Sequence, residues 1–313
     1  MNVKGVIGGV LHGRSLRHRP VVWPGPGQVR VDATIAGKPS RIDVTDDHVP
    51  MGLSPFIIGL RLDVAAPLPK TVRLFFTDTE TELTLGHIDL RAHSEITEGH
   101  LHIGLFIPTA TRNKTARRLT RAWRYYLAYQ QVRATRGEPG VRMTAHDAIA
   151  LNLYYAVPRP VFLIGVSHNG AKRLFPMDLL ATINGYQILA LRAASVSSTA
   201  IAESRIIAMS AAPADSLNAI YKCGKWNLGP SVDLAAYPLK IRFLESGCPA
   251  LDDGGDVRQV QIAHVSHPGS HTTFIGKVVS REGSTSRQLA HVSDMYSDWL
   301  DACHHALEKL TPE

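Results

Sequence analysis

The sequence is short of cysteine, of long apolar runs and of the glycine motifs that cradle nucleotides, and each shortage closes off a class of protein. Its three cysteines, Cys223, Cys248 and Cys303, are odd in number and far apart, with no CxxC pair. That argues against a disulfide framework and points to reduced thiols in a cytoplasmic protein. No apolar stretch approaches the roughly 18 residues needed to span a bilayer. The first residues, MNVKGVIGGVLHGRSLRHR, lack a signal-peptide core and cleavage site. Neither GxGxxG after a strand nor GxxxxGK(S/T) occurs, which disfavours a nicotinamide Rossmann domain and a P-loop. A GxSxG elbow is also missing.

Acid is absent from one segment that carries most of the charge asymmetry. Residues 112–136, RNKTARRLTRAWRYYLAYQQVRATR, hold eight Lys or Arg and no Asp or Glu. Taking that +8 from the chain's +7 leaves the remainder at −1. The basicity therefore belongs to one element and does not mark the whole protein as a nucleic-acid binder. Leu119, Trp123, Tyr126 and Leu127 fall on one face of a helix, and RGEPG at 136–140 stops it.

What is present is mostly strand. Before the basic helix, QVRVDATIAG, RIDVTD, KTVRLFFTD, TELTLGHIDLRAH and HLHIGLFI alternate partly and carry β-branched residues. At 313 residues two domains are expected, an N-terminal β-domain with its basic helix over 1–136 and a second domain over 141–313. The second begins with a helix capped by Thr144, followed by the strand RPVFLIGVS. Asn169–Gly170 marks a hairpin. PADSLNAIYKCG is a helix stopped by Gly224, and DDGGD at 252–256 is a hairpin turn. No internal repeat is visible. Strands without long intervening helices predict a mainly β protein, with closed or partly closed barrels.

Two stretches carry candidate chemistry. In LALRAASVSSTAIAES, Arg192 ends a strand, and Ser195, Ser197, Ser198 and Thr199 open a helix. A guanidinium fork beside unpaired helix N–H groups suits a phosphate. A hydroxyl capping the helix, with Arg192 simply solvated, is the commoner arrangement for such a stretch. In HPGSHTTFIGKVV, His271 follows a Gly–Ser turn at the head of a strand, where it is either a barrel residue or a group in a redox pocket. His87, His93, His100 and His102 lack the further ligands that a zinc site needs.

The order RPVFLIGVSHNGAKRLFPMDLLATI, LALRAASVSSTAIAES, GSHTTFIGKVV, LAHVSDMY resembles the flavin reductase-like, FMN-binding split-barrel family over about residues 144–300. The resemblance implies that Met177, Asp178, Leu179, Leu180, Ala181 and Thr182 line the isoalloxazine. It implies that Arg192, Ser195, Ser197, Ser198 and Thr199 grip the flavin phosphate, and that His271 faces the reactive side as the catalytic candidate. It further implies FMN (or FAD) as cofactor, NAD(P)H as co-substrate and a homodimer with flavin near the interface. Ser270 stands where many members carry Asp. The first part faintly resembles a PilZ-type β-barrel, although its arginine arm (Arg14, Arg17, Arg19) and the DVTDDH strand depart from the cyclic dinucleotide motifs. That resemblance implies a docking module for a partner protein. The expected function is thus a flavin reductase-like oxidoreductase. The alternative is a non-catalytic flavin-binding or regulatory interaction protein with an N-terminal docking or nucleotide-sensing module.

Overall fold

The computed structural model describes residues 18–36, 40–63, 67–115, 126, 143–226, 234–252, 255–284, 287–303, 305 and 307–311. Of the basic segment 112–136, Arg112 and Asn113 end a strand and Lys114, Thr115 and Tyr126 are described, while the rest lies outside the described residues, as do Arg14 and Arg17. Strand β1 (His18–Val22) precedes a run of seven: β2 (Val29–Ile35), β3 (Ile42–Asp43), β4 (His48–Leu53), β5 (Phe56–Arg61), β6 (Thr71–Asp78), β7 (Thr84–Glu98) and β8 (Leu101–Asn113). Helix α1 (Ala145–Tyr154) and the short β9 (Arg159–Pro160) lead into the second half. There follow β10 (Phe162–His168), β11 (Ala171–Met177), β12 (Leu180–Ile183), β13 (Tyr186–Arg192), α2 (Val196–Ser204), β14 (Ile206–Ala211) and α3 (Leu217–Trp226). The chain finishes with β15 (Ile241–Phe243), β16 (Pro249–Leu251), β17 (Val257–Ser266), β18 (His271–Glu282), β19 (Leu289–Ser293) and α4 (Asp294–Ala302).

The two halves share one topology. The N-terminal sheet runs β3-β2-β6-β7-β8-β5-β4, and the C-terminal sheet runs β11-β10-β14-β17-β18-β13-β12. Numbered from one to seven within each sheet, both orders read 2-1-5-6-7-4-3. All the pairings are antiparallel. In each half the two outermost strands are consecutive in the chain, and this forces closure. Six strand spacings of about 4.8 Å would separate the edges of a flat sheet by about 29 Å. The link from Met177 to Leu180 spans at most about 10 Å, and that from Asp43 to His48 about 17 Å. Each sheet must therefore curl until its edges meet. The mainly β expectation with a C-terminal barrel holds. The repeated strand order is an addition that no motif in the sequence announces.

Local chemistry explains the turns. Asn169 and Gly170 join β10 to β11, and Asn184 and Gly185 join β12 to β13, all four with positive φ. Two consecutive left-handed residues define the hairpin turn whose twist suits antiparallel strands. Thr144 caps α1 in a reciprocal box with Asp147. Two readings need correction. Helix α3 runs through Gly224 to Trp226, so that glycine does not stop it. The acidic 252–256 segment links β16 to β17, which pair with other strands, so it is a connection and not a hairpin.

The halves meet over a common apolar core. Val49 and Met51 of β4, Ile57 of β5 and Ile103 of β8 pack with Ile183 of β12, Ile188 of β13 and Ile275 of β18. A second link runs through the helices. Leu151, Leu153 and Tyr154 of α1, with Tyr296 and Leu300 of α4, complete the core of the N-terminal barrel. The Tyr296 hydroxyl donates to Oδ2 of buried Asp78 at 2.7 Å, and the Ser293 hydroxyl donates to Asn152 at 3.0 Å. Strand β1 pairs with β19, so the beginning and end of the described chain are stitched together.

Candidate functional site

Parts of the three stretches singled out in the sequence, residues 180–182, Arg192 and His271, lie on adjacent strands. Strand β12 pairs with β13 through Leu180 and Leu189, and β13 pairs with β18 through Arg192 and His271. Residues nearly a hundred positions apart are thereby placed along one ribbon of the C-terminal barrel. Arg192 is exposed at the end of β13. The chain turns there, with the Ser195 amide donating to the Arg192 carbonyl at 3.0 Å. Ser195 then caps α2, its hydroxyl accepting from the Ser198 amide at 3.1 Å. The capping reading is thus realised at Ser195. Ser197 and Ser198 are buried, which leaves Thr199 and Arg192 as the exposed polar side chains of the turn.

His271 is only 2 % exposed. Its Nδ1 shares a 2.9 Å hydrogen bond with the Ser270 hydroxyl. Burial, reinforced by the Arg192 cation opposite, lowers its pKa to about 4. The ring is therefore neutral at pH 7. Its turn is docked on the other half: the Ser270 amide donates to the Ser54 carbonyl, and the Ser54 amide donates to the Ser270 hydroxyl. Ser270, which replaces an acid expected from the resemblance, is thus an inter-half hydrogen-bonding residue.

The segment 177–182 divides among several environments. Met177 and Leu180 face the interior of the C-terminal barrel, whereas Leu179 packs on the N-terminal core and Ala181 on the core between the halves. The exposed Thr182 hydroxyl bonds the Gln187 side chain at 3.1 Å. Asp178 turns into a polar cluster that the sequence did not announce. It accepts from His291 Nδ1 at 2.7 Å, and His291 Nε2 pairs with the Tyr221 hydroxyl at 3.1 Å. Tyr155 also bonds Asp178, and His18 stacks on Tyr155 with ring centroids 3.7 Å apart. Burial alone would raise the Asp178 pKa, but His291, His18 and Tyr155 hold it down at about 2. Burial lowers His18 to about 3 despite the attraction of Asp178.

Leu180, Ala181 and Thr182 also form one wall of a cleft of about 420 Å³ between the halves. Its other walls include Trp23, the Gly25–Gly27 loop, Arg159, Arg258 and Arg281. Arg258 and Arg281 both pair with Asp256, at 2.5 and 3.0 Å. Burial works to raise the Asp256 pKa, but the two guanidiniums prevail and lower it. The arginines escaped the sequence reading because each sits in an ordinary alternating strand. Among the described residues, no group of three or more His, Cys, Asp or Glu is placed to hold a metal ion.

No family model matches this sequence, and no curated protein matches it either. Several solved structures are similar over about half of the chain. The NADH:FAD oxidoreductase SgcE6 of Streptomyces globisporus C-1027 shares 15 % identity, covering 52 % of this chain and 93 % of its own, with a TM-score of 0.42. The flavin reductase PheA2 shares 17 %, over 53 % of this chain and 98 % of its own, at 0.40. An FMN-binding protein from Thermus thermophilus shares 14 %, over 50 % and 88 %, also at 0.40.

Proposed function

We propose that this protein is a flavin-binding oxidoreductase of the flavin reductase type, using NAD(P)H as hydride donor and FMN or FAD as acceptor. The observation that carries the reading is the convergence of residues 180–182, the Arg192 turn and His271 on the contiguous strands β12, β13 and β18. In the resemblance those same three stretches hold the ring, the phosphate and the reactive side. A bound flavin would supply the hydride-accepting ring.

The chain's own residues then have separable tasks. Arg192 presents two N–H donors to phosphate oxygens, and the Thr199 hydroxyl and the first amides of α2 add further donors. The β12 backbone and the side chains of Leu180 and Ala181 present a largely apolar edge to the ring. His271, neutral at pH 7, accepts or donates a hydrogen bond and does not deliver a proton as a cation. The pairing expected between two subunits is, in this proposal, made within one chain by the matched halves. The Ser270–Ser54 clasp over the His271 turn favours a second reading, a flavin protein closed to nicotinamide.

Visible absorbance with added FMN, then NADH under anaerobic conditions, tests the proposal. Flavin bands near about 370 and 450 nm that bleach on NADH addition are expected, since the ring carries the redox change. Bound flavin that stays yellow selects the second reading. Loss of flavin binding in Arg192→Ala is expected, and unchanged affinity in that variant removes the phosphate assignment.

A further inference from the structure

We infer that the chain holds one flavin nucleotide and not two, because Asp47 closes the place in the N-terminal half that matches the Arg192 turn. The inference rests on the flavin reading above and adds its stoichiometry.

Two halves of one topology place two stretches of chain in like positions. Strand β5 of the N-terminal half matches β13 of the C-terminal half, each the fourth strand of its sheet. With the strands so matched, IIGLR (57–61) lies where ILALR (188–192) lies. Ile57 and Ile188 both enter the core between the halves. Ile58 and Leu60 fill the N-terminal barrel, as Leu189 and Leu191 fill the C-terminal one. Ile58 pairs with Phe106 of β8, and Leu189 pairs with Phe274 of β18. The turns between the last two long strands match too. Gly99 lies against the Tyr186 hydroxyl of the other half, as Ser270 lies against Ser54. Arg61 is therefore the counterpart of Arg192, each standing at the end of the fourth strand.

From that point the two differ. Arg61 is clamped by Asp47, with Nε donating to Oδ1 at 2.6 Å and Nη2 to Oδ2 at 2.8 Å. The Arg61 amide also donates to the Asp47 carbonyl at 2.8 Å. The bidentate pair uses the same fork that a phosphate would need. Among the described residues Arg192 makes no ion pair. The acid that precedes the third strand of its half, Asp178, goes to His291 instead. Helix α2 follows Arg192 and brings its N-terminal amides, whereas the described residues between Arg61 and β6 form no helix. His271 stands opposite Arg192, but Ile103 stands opposite Arg61. A small cavity of about 170 Å³ beside Arg61 is walled mostly by aliphatic side chains. Its charged lining is Arg61, Asp47 and Asp63, a net of −1, which repels a phosphate dianion.

Equilibrium dialysis of the full chain against FMN, with flavin counted by its absorbance, tests the inference. One FMN per 34.2 kDa chain is expected. Arg61→Ala, at a side chain 43 % exposed, is expected to keep that stoichiometry and to change affinity by less than about twofold, whereas Arg192→Ala loses the flavin. Two equivalents per chain overturn the inference and leave the flavin reading standing. One equivalent that Arg61→Ala weakens about tenfold, with an unaltered thermal melt, puts the flavin in the N-terminal half and overturns it as well. One equivalent indifferent to both arginines removes the match on which the inference stands. No bound FMN at all removes the flavin reading and this inference together. The wild-type count decides the question even where a variant fails to fold.

Discussion

Acidification from pH 7 to pH 5 should destabilise this protein steeply, because three histidines are buried in neutral form. His18 and His48 have pKa values of about 3, and His271 of about 4, each lowered chiefly by burial. Charges around them modify this: Asp178 attracts a proton to His18, Arg159 repels one from His48, and Arg192 repels one from His271. In the unfolded chain each titrates near about 6.5. Between these values the unfolded state binds more protons, so stability is full above about pH 6.5 and falls as pH drops toward 3 or 4. Integrating from pH 7 to pH 5 gives about 2 kcal/mol per histidine and about 6 kcal/mol for the three. That rivals the whole stability of many domains. Guanidinium titrations at pH 7, 6 and 5 measure the effect. His48→Asn, which removes one of the three protons, should reduce the pH slope by about a third. A stability that is flat between pH 7 and 5, or a slope unchanged in His48→Asn, refutes the reasoning.

Two further outcomes are expected. Ile188→Asp places a carboxylate in the core between the halves and should cost about 4 kcal/mol, whereas Val279→Asp on the exposed end of β18 should stay within about 0.5 kcal/mol. Equal denaturation midpoints for the two would show that the inter-half core contributes little. If the two halves pair within one chain, as proposed above, light scattering should give a mass near 34.2 kDa and not the homodimer expected from the resemblance. A mass of twice that value would mean that a second surface dimerises.

Much of the fold was legible because it depends on local signals. The Asn169–Gly170 turn, the Thr144 cap and the strand RPVFLIGVS are each specified by a few adjacent residues. Leu180–Thr182, Arg192 and His271, from the three stretches, lie on neighbouring strands. What was not legible depends on pairing at a distance. Asp178 meets His291 across 113 positions, and Arg159 meets His48 across 111, with no spacing rule to link either pair. The shared strand order was hidden for a related reason. Burial sets only which positions are apolar, alternating in VRVDATI of β2 and consecutive in FLIGVSH of β10, so the two strands fill equivalent places without resembling each other.

Tethering two like halves in one chain changes what mutation can do to them. In an assembly of two identical subunits every substitution appears twice, once on each side of the axis. A residue suited to one role on one subunit must be tolerated in the mirrored place on the other. Here that coupling is broken. The C-terminal half carries Arg258 and Arg281 at the cleft, and the N-terminal half does not repeat them. The N-terminal half supplies Ser54 to hydrogen-bond the His271 turn, whereas its own corresponding turn at Glu98 and Gly99 is met by different side chains, His264 and Tyr186. Covalent linkage also keeps the partners together at an effective concentration on the order of millimolar. The interface can therefore lose contacts that a dissociable pair would need, which leaves its surface available for asymmetric, one-sided specialisation.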